Sequence, residues 1–495
     1  MKKYIAFSSA LIALVAFNSC SEDFSDEVSD DIANQTTGSA DFTTYVALGN
    51  SLTSGYSNSA LYVEGQENAY PVRMAERFAQ VTPNMTAFKL PLMKDNLGGY
   101  TIGGTLMGTN RLVLTQTGTS LSSLSPAVME GTPTTEITKG IAGLYGNMGV
   151  PGAKSFHLGL DAYGSAANLS TGKANPYFVY FASSATTSVL KDALAQKPTF
   201  FSLWIGNNDV LAYATSGGDE GGKDQTGNIN PATYGYNDIT DPNVLAASIK
   251  GITDALTAQG AKGVVGNIPY VTTIPYFTTV PYNALPLTAE QATALNAGYA
   301  AYNGALTTMV TNKVITQAEA DSRKITFAAG QNPVVIIDNA LTDLTSINPA
   351  LVSMRQIKQG ELLTLTASSL IKAGSGSTKP LDGKYVLTST EVTKVTNAVK
   401  KYNAAIAGIV AANSNLALAD TNAEMTALAA APNPLFKFDG IQYTSQYITG
   451  ATFSLDGVHP TPKGAAILAN VFLKAINAKF GSTLLPFNPN AYPGM

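Results

Sequence analysis

A chain of 495 residues with 45% hydrophobic and only 13% charged side chains has a globular composition, sufficient to bury one large core or two ordinary ones. The formal charge of −4, with acidic and basic residues interspersed, provides no basic stripe to neutralise a phosphate backbone. Nucleic acid is therefore not an expected partner.

Met1-Lys2-Lys3 is a short basic region, Tyr4 to Phe17 is an apolar run, and Phe17-Asn18-Ser19-Cys20 closes it with small residues before a cysteine. The run is too short to read first as a membrane span, so residues 1–19 are predicted to be a signal sequence. The stretch resembles a bacterial lipoprotein signal, with Phe17 and Asn18 where Leu-Ala is commoner. That resemblance implies that Cys20 becomes the acylated first residue of the mature chain and its membrane anchor; the alternative is a chance cysteine ending an ordinary signal peptide. Cys20 is the only cysteine, which excludes a disulfide or a thiolate metal site in the domain. Ser21-Glu22-Asp23-Phe24-Ser25-Asp26-Glu27 resembles the acidic tag of lipoproteins on the outer face of the outer membrane. It implies an outer-membrane protein facing the cell exterior; the periplasmic face, or a merely solvated tether, is the alternative. Residues 20–41 are predicted to form a flexible acidic tether, with folded structure from Phe42 to the end at 495.

Beyond the tether, strands alternate with helices. Strands are predicted over Thr43 to Leu48, Ile141 to Tyr145, Thr199 to Ile205, Lys262 to Ile268 and Leu416 to Ala419. Helical periodicity is clearest over Asn68 to Gln80, Asn243 to Gln259, Ala289 to Asn312, Thr390 to Ala412 and Pro462 to Ala478. Asp241-Pro242 and Thr461-Pro462 are good helix starts, with proline in the first turn. The alternation predicts a mainly parallel sheet covered by helices on both faces. Three long polar or mixed stretches, near 90–139, 215–241 and 342–389, read as insertions around one catalytic core. Within the second, Gly217 to Gly222 lacks the regular acidic spacing of a calcium loop and reads better as a solvated turn.

Chemistry in an open parallel sheet collects at the carboxyl ends of the strands. Four motifs fall at such places or near the C-terminus: Gly49-Asn50-Ser51-Leu52, Asn147-Met148-Gly149-Val150-Pro151-Gly152-Ala153, Gly206-Asn207-Asn208-Asp209, and Asp456-Gly457-Val458-His459-Pro460. Each alone has a bland reading as a turn or glycine loop. The last is more telling, because His459 is one of two histidines and stands three residues after an aspartate. At that spacing the carboxylate can reach Nδ1 and leave Nε2 free as a base.

In this order, the four motifs resemble the blocks of the SGNH, or GDSL-type, serine hydrolases, over about Phe42 to Ala478. The resemblance implies a three-layer α/β/α, flavodoxin-like fold with long insertions. It implies Ser51 as nucleophile, His459 as general base and then acid, and Asp456 as its orienting carboxylate. The oxyanion hole would comprise the Ser51 and Gly152 backbone N–H groups and the Asn208 side chain. Gly152 aligns better than Gly149 because the small-polar stretch Ala153-Lys154-Ser155 follows it directly. The implied activity is ester hydrolysis through an acyl-enzyme, acting on glycan O-acyl groups or lipid esters at the cell surface, with no cofactor or metal required. The alternative is a non-enzymatic surface lipoprotein that binds glycans or lipids on the same scaffold.

One position departs from the family: Asn50 stands where aspartate is usual. Asparagine keeps an acceptor oxygen, so the turn is expected to survive with a neutral neighbour beside the nucleophile. His157, with apolar neighbours, is left out of the catalytic set. The segment Ile268 to Tyr282 carries four aromatic rings between prolines, suited to stacking on sugars, to lining an acyl groove, or to packing as a rigid loop.

Overall fold

The computed structural model describes residues 34–116, 124–430, 437–438 and 441–494, so the signal sequence and Cys20 lie outside the described residues. Five strands form one parallel sheet: β1 (Tyr45–Gly49), β2 (Asn147–Gly149), β3 (Phe200–Trp204), β4 (Lys262–Gly266) and β5 (Leu416–Ala419). They lie side by side in the order β5-β4-β3-β1-β2. The order changes direction between β1 and β3, the place where an open α/β sheet leaves a crevice.

The helices that concern the sheet and the site are α1 (Ser51–Ser54), α2 (Tyr70–Val81), α3 (Asn208–Thr215), α4 (Pro242–Ala258), α5 (Ala289–Thr311), α6 (Ser389–Ala411), α7 (Thr421–Ala429) and α8 (Pro462–Phe480). Every residue of β1 and β3 is buried, as expected of strands covered on both faces. Alternate residues of β1 enter different layers. Val46 and Leu48 join Leu245 and Ile249 of α4 and Val399 and Tyr402 of α6. Tyr45 and Ala47 join Met74 and Phe78 of α2 and Phe472 and Ile476 of α8. Aromatic stacking tightens this second layer, with Tyr70 and Phe472 rings 4.8 Å apart.

Helix starts follow the capping chemistry of the sequence. The Asp241 carboxylate accepts from the Asn243 N–H at 2.8 Å, ahead of Pro242 in the first turn of α4. Thr461 accepts from the Gly464 N–H at 3.1 Å at the start of α8.

Three expectations change. The strand predicted over Ile141 to Tyr145 is not one; the sheet takes the next segment, Asn147–Gly149. Ile141 and Gly143 instead donate their N–H groups to the carbonyls of Tyr180 and Phe181, so this apolar run packs against a helical turn. Gly149 suits the strand because a Cβ there would lie 2.3 Å from the Ser54 backbone nitrogen. Secondly, α5 has the periodicity expected of a sheet-covering helix but belongs to a separate core that runs from Val280 to Val386. The third insertion thus begins well before residue 342 and encloses α5. Its buried Arg355 binds Asp338 at 2.6 Å and Glu361 at 2.7 Å, and Glu361 also accepts from the Ser389 N–H at the start of α6. Thirdly, packed structure starts before Phe42: the Thr36 N–H donates to Thr483 Oγ1 at 2.8 Å and the Ser39 N–H to the Phe480 carbonyl at 2.8 Å. The last part of the predicted tether is therefore docked on the end of α8. Among the described residues no helix is long and apolar enough to cross a membrane.

Candidate active site

Strand β1 ends at Gly49 and the chain turns directly into α1, which makes Ser51 the first helical residue at the carboxyl edge of the sheet. Asn50 holds this turn. Its Oδ1 accepts from the Leu52 N–H at 3.0 Å, and its Nδ2 donates to Asn207 Oδ1 at 3.1 Å. Fully buried, it caps α1 and ties the Ser51 turn to the segment that follows β3. A neutral amide can do both jobs at once because it has a donor and an acceptor.

Ser51 Oγ lies 2.9 Å from His459 Nε2, and His459 Nδ1 lies 2.9 Å from Asp456 Oδ2. The Asp456 carboxylate also accepts from Val458 and His459 N–H groups at 2.8 Å and from the Ser59 N–H at 2.9 Å. Burial alone would raise its pKa; the facing imidazole and these hydrogen bonds outweigh burial and hold it at about 2. An ionised carboxylate only accepts, so the Nδ1 facing it is the donor, and Nε2 is the nitrogen that faces Ser51 Oγ. The Tyr56 ring packs 4.8 Å from the imidazole and backs it.

The loop carrying this pair is held from two sides. Asn58 donates its N–H to Ser454 Oγ and accepts from the Leu455 N–H, both at 3.0 Å. The Tyr276 N–H donates to the Gly457 carbonyl at 2.9 Å. Neither Asn58 nor Ser59 carries a sequence signal for this role. Both sit at positive φ, 52° and 64°, and only the fold brings them to residues 396 and 397 positions away.

Gly152 lies in the turn after β2 with φ +79°, a conformation that side chains with a Cβ rarely adopt. It donates its N–H to no group among the described residues, and Ser51 heads its helix, where the N–H has no intrahelical acceptor. Asn208 Nδ2 donates to the Ala153 carbonyl at 3.0 Å, which fixes the amide plane and leaves a second N–H on the same nitrogen. Asn208, Ser51 and His459 line one opening. If the second Asn208 N–H is an oxyanion donor, Asn208→Ala lowers kcat for an ester by about 10²–10³. Steady-state ester hydrolysis measures it, and full activity would remove Asn208 from the hole.

Asp209 closes the Gly206-Asn207-Asn208-Asp209 motif. Wholly buried, it accepts from the Ser155 N–H at 2.8 Å and Ser155 Oγ at 2.7 Å, joining the Asn208 block to the Gly152 block. Burial pushes its carboxyl up, opposed by nearby Lys154 and by the Ser155 bonds. Its signal is an acidic residue in the first turn of α3, just after the mostly apolar strand β3. His157 sits apart from the Ser51–His459–Asp456 contacts: Nδ1 accepts from the Lys154 N–H at 3.1 Å and the ring stacks on Tyr163. Burial, then the Lys154 charge, brings its pKa down to about 4.

The Ile268 to Tyr282 segment borders the opening with Pro269, Val271 and Ile274, while Phe277 is buried in the core and its tyrosines do not line the opening. Among the described residues no group of three or more His, Cys, Asp or Glu side chains is placed to hold a metal ion. The chain matches no protein-family model, no curated protein and no solved structure.

Proposed function

We propose that this chain is a serine ester hydrolase of the SGNH kind, working through an acyl-enzyme. The observation that carries the reading is the continuous Ser51–His459–Asp456 relay, with 2.9 Å at each step. The 2-1-3-4-5 strand order, with Ser51 at the crevice end of β1, supports the flavodoxin-like form of that fold.

In the first half-reaction His459 Nε2 takes the Ser51 proton as Oγ attacks the ester carbonyl. Negative charge develops on the carbonyl oxygen, where the N–H groups of Ser51, Gly152 and Asn208 receive it without reorganising. His459 then gives its proton to the leaving alcohol. A water, deprotonated by the same imidazole, releases the acid and restores Ser51. Asp456 keeps the imidazole in one tautomer and stabilises its charged form. The test is labelling by a fluorophosphonate, which reacts with an activated serine; an unlabelled protein would leave the non-enzymatic binding reading in its place.

The resemblance of residues 1–27 to a lipoprotein signal and acidic tag supports an outer-membrane location, facing the exterior, with an acylated Cys20 as the anchor. Cys20→Ser is expected to eliminate incorporation of a labelled fatty acid and to move the protein out of the membrane fraction. Retained lipid label in that variant would refute the anchor.

A further inference from the structure

The second insertion supplies no member of the Ser51–His459–Asp456 relay, yet it brings a side chain to Gly152. The space that a Cβ on Gly152 would fill is bordered by Tyr236 Oη at 3.2 Å and Asn175 Nδ2 at 3.8 Å, the nearest atoms outside the turn itself. Asn175 Nδ2 donates to the Pro151 carbonyl at 2.8 Å and so holds the turn. The Tyr236 hydroxyl has no hydrogen-bond partner among the described residues, and the residue is 64% exposed. Tyr236 is also close to Tyr56, the ring that backs the His459 imidazole: burial first, then Asp456, Tyr100 and Tyr236, push the Tyr56 hydroxyl up.

The backbone around Tyr236 is firmly held. Tyr236 is the second residue of a turn in which the Asp238 N–H donates to the Gly235 carbonyl at 3.2 Å. The Asp238 carboxylate closes the same turn from the Gly235 N–H at 2.8 Å, and also accepts from the Lys223 N–H at 2.9 Å and Gln225 Nε2 at 2.5 Å. The Asp238 carbonyl accepts from Lys154 Nζ at 2.6 Å. Burying an ammonium is unfavourable unless it is paired, and Lys154 is buried with the Asp209 and Asp238 carboxylates nearby. Lys154 stands two residues after Gly152, so the turn that carries Tyr236 is fastened to the loop that carries the glycine. None of these bonds uses the Tyr236 hydroxyl.

We propose that Tyr236 is a substrate-contacting residue, its hydroxyl donating to an ester bound at the Gly152 side of the site. This rests on the ester-hydrolase reading and gives the second insertion a part in it. A phenol is a hydrogen-bond donor at neutral pH. Because this one bonds to nothing else in the described chain, removing it leaves the other hydrogen bonds of the fold in place, and a loss of rate reports contact with the substrate.

The experiment compares Tyr236→Phe with the wild type by kcat/KM on p-nitrophenyl acetate and by thermal unfolding, with fluorophosphonate labelling of the wild type alongside. The variant is expected to keep its Tm and to lose at least about fivefold in kcat/KM, the effect of one hydrogen bond to the substrate. A smaller loss, in a protein whose wild type labels at Ser51, overturns the contact and leaves the hydrolase reading intact. A loss of rate together with a lowered Tm would make the hydroxyl structural, against the proposal. A wild type that cleaves no ester and takes no label overturns the hydrolase reading, and this inference falls with it.

Discussion

Ser51→Ala is expected to abolish fluorophosphonate labelling and to lower kcat by about 10⁶, the scale on which a relay loses its nucleophile. The size of the effect follows from the local geometry. Ser51 is the hydroxyl in contact with an imidazole nitrogen that is itself oriented by a carboxylate. Neighbouring hydroxyls are otherwise engaged: Ser54 Oγ donates to the Ser51 carbonyl and Ser57 Oγ to the Pro460 carbonyl. Neither has a base to take its proton, so neither can substitute. Mass spectrometry of the labelled peptide identifies the serine. A Ser51→Ala protein that still takes the label would mean that another residue is the nucleophile.

Asp456→Asn is expected to lower kcat by up to about 10⁴, as when the carboxylate of such a relay becomes an amide. Here there is an added reason. Asp456 Oδ1 accepts from two backbone N–H groups, and Oδ2 accepts from the Ser59 N–H while facing His459 Nδ1. An asparagine amide must place its NH₂ on one side or the other, against donors in either case. If the amide faces the imidazole, the ring turns over to the wrong tautomer. If it faces Val458 and His459, the loop that presents the histidine loses its hold. Rate measurements with an activated ester, together with circular dichroism to check that the fold is kept, separate the two. A loss under about tenfold would mean that the carboxylate is largely dispensable.

Much of the site was legible because the residues concerned are chemically unusual in this chain. Ser51, Asn208, Asp456 and His459 stand in short turns at strand ends or on a glycine and proline loop, and the structure brings Ser51, Asp456 and His459 into one hydrogen-bonded chain with Asn208 beside it. Asn50 was expected to keep its turn by accepting a hydrogen bond, and it does so from Leu52; its second bond, to Asn207, was invisible because it spans two strands. Four of the five strands fell where the alternating apolar runs put them. The exception, β2, is three residues long and contains Asn147 and Gly149, while the more apolar segment before it looked the better strand.

What the sequence determined by itself is what local chemistry carries: helix starts at Asp241 and Thr461, buried strands written as continuous apolar runs, and an Asp-x-x-His spacing that closes its own hydrogen bond. What only the tertiary structure decided depends on residues far apart in the chain. It assigned α5 to a separate core, docked residues 36–39 on the end of α8, and aimed Ser59 at Asp456. Periodicity tells which face of a helix is apolar but not which surface will cover it, because burial is proportional to area and blind to partner. Hydrogen-bond geometry between distant segments is settled only once the sheet has placed their ends.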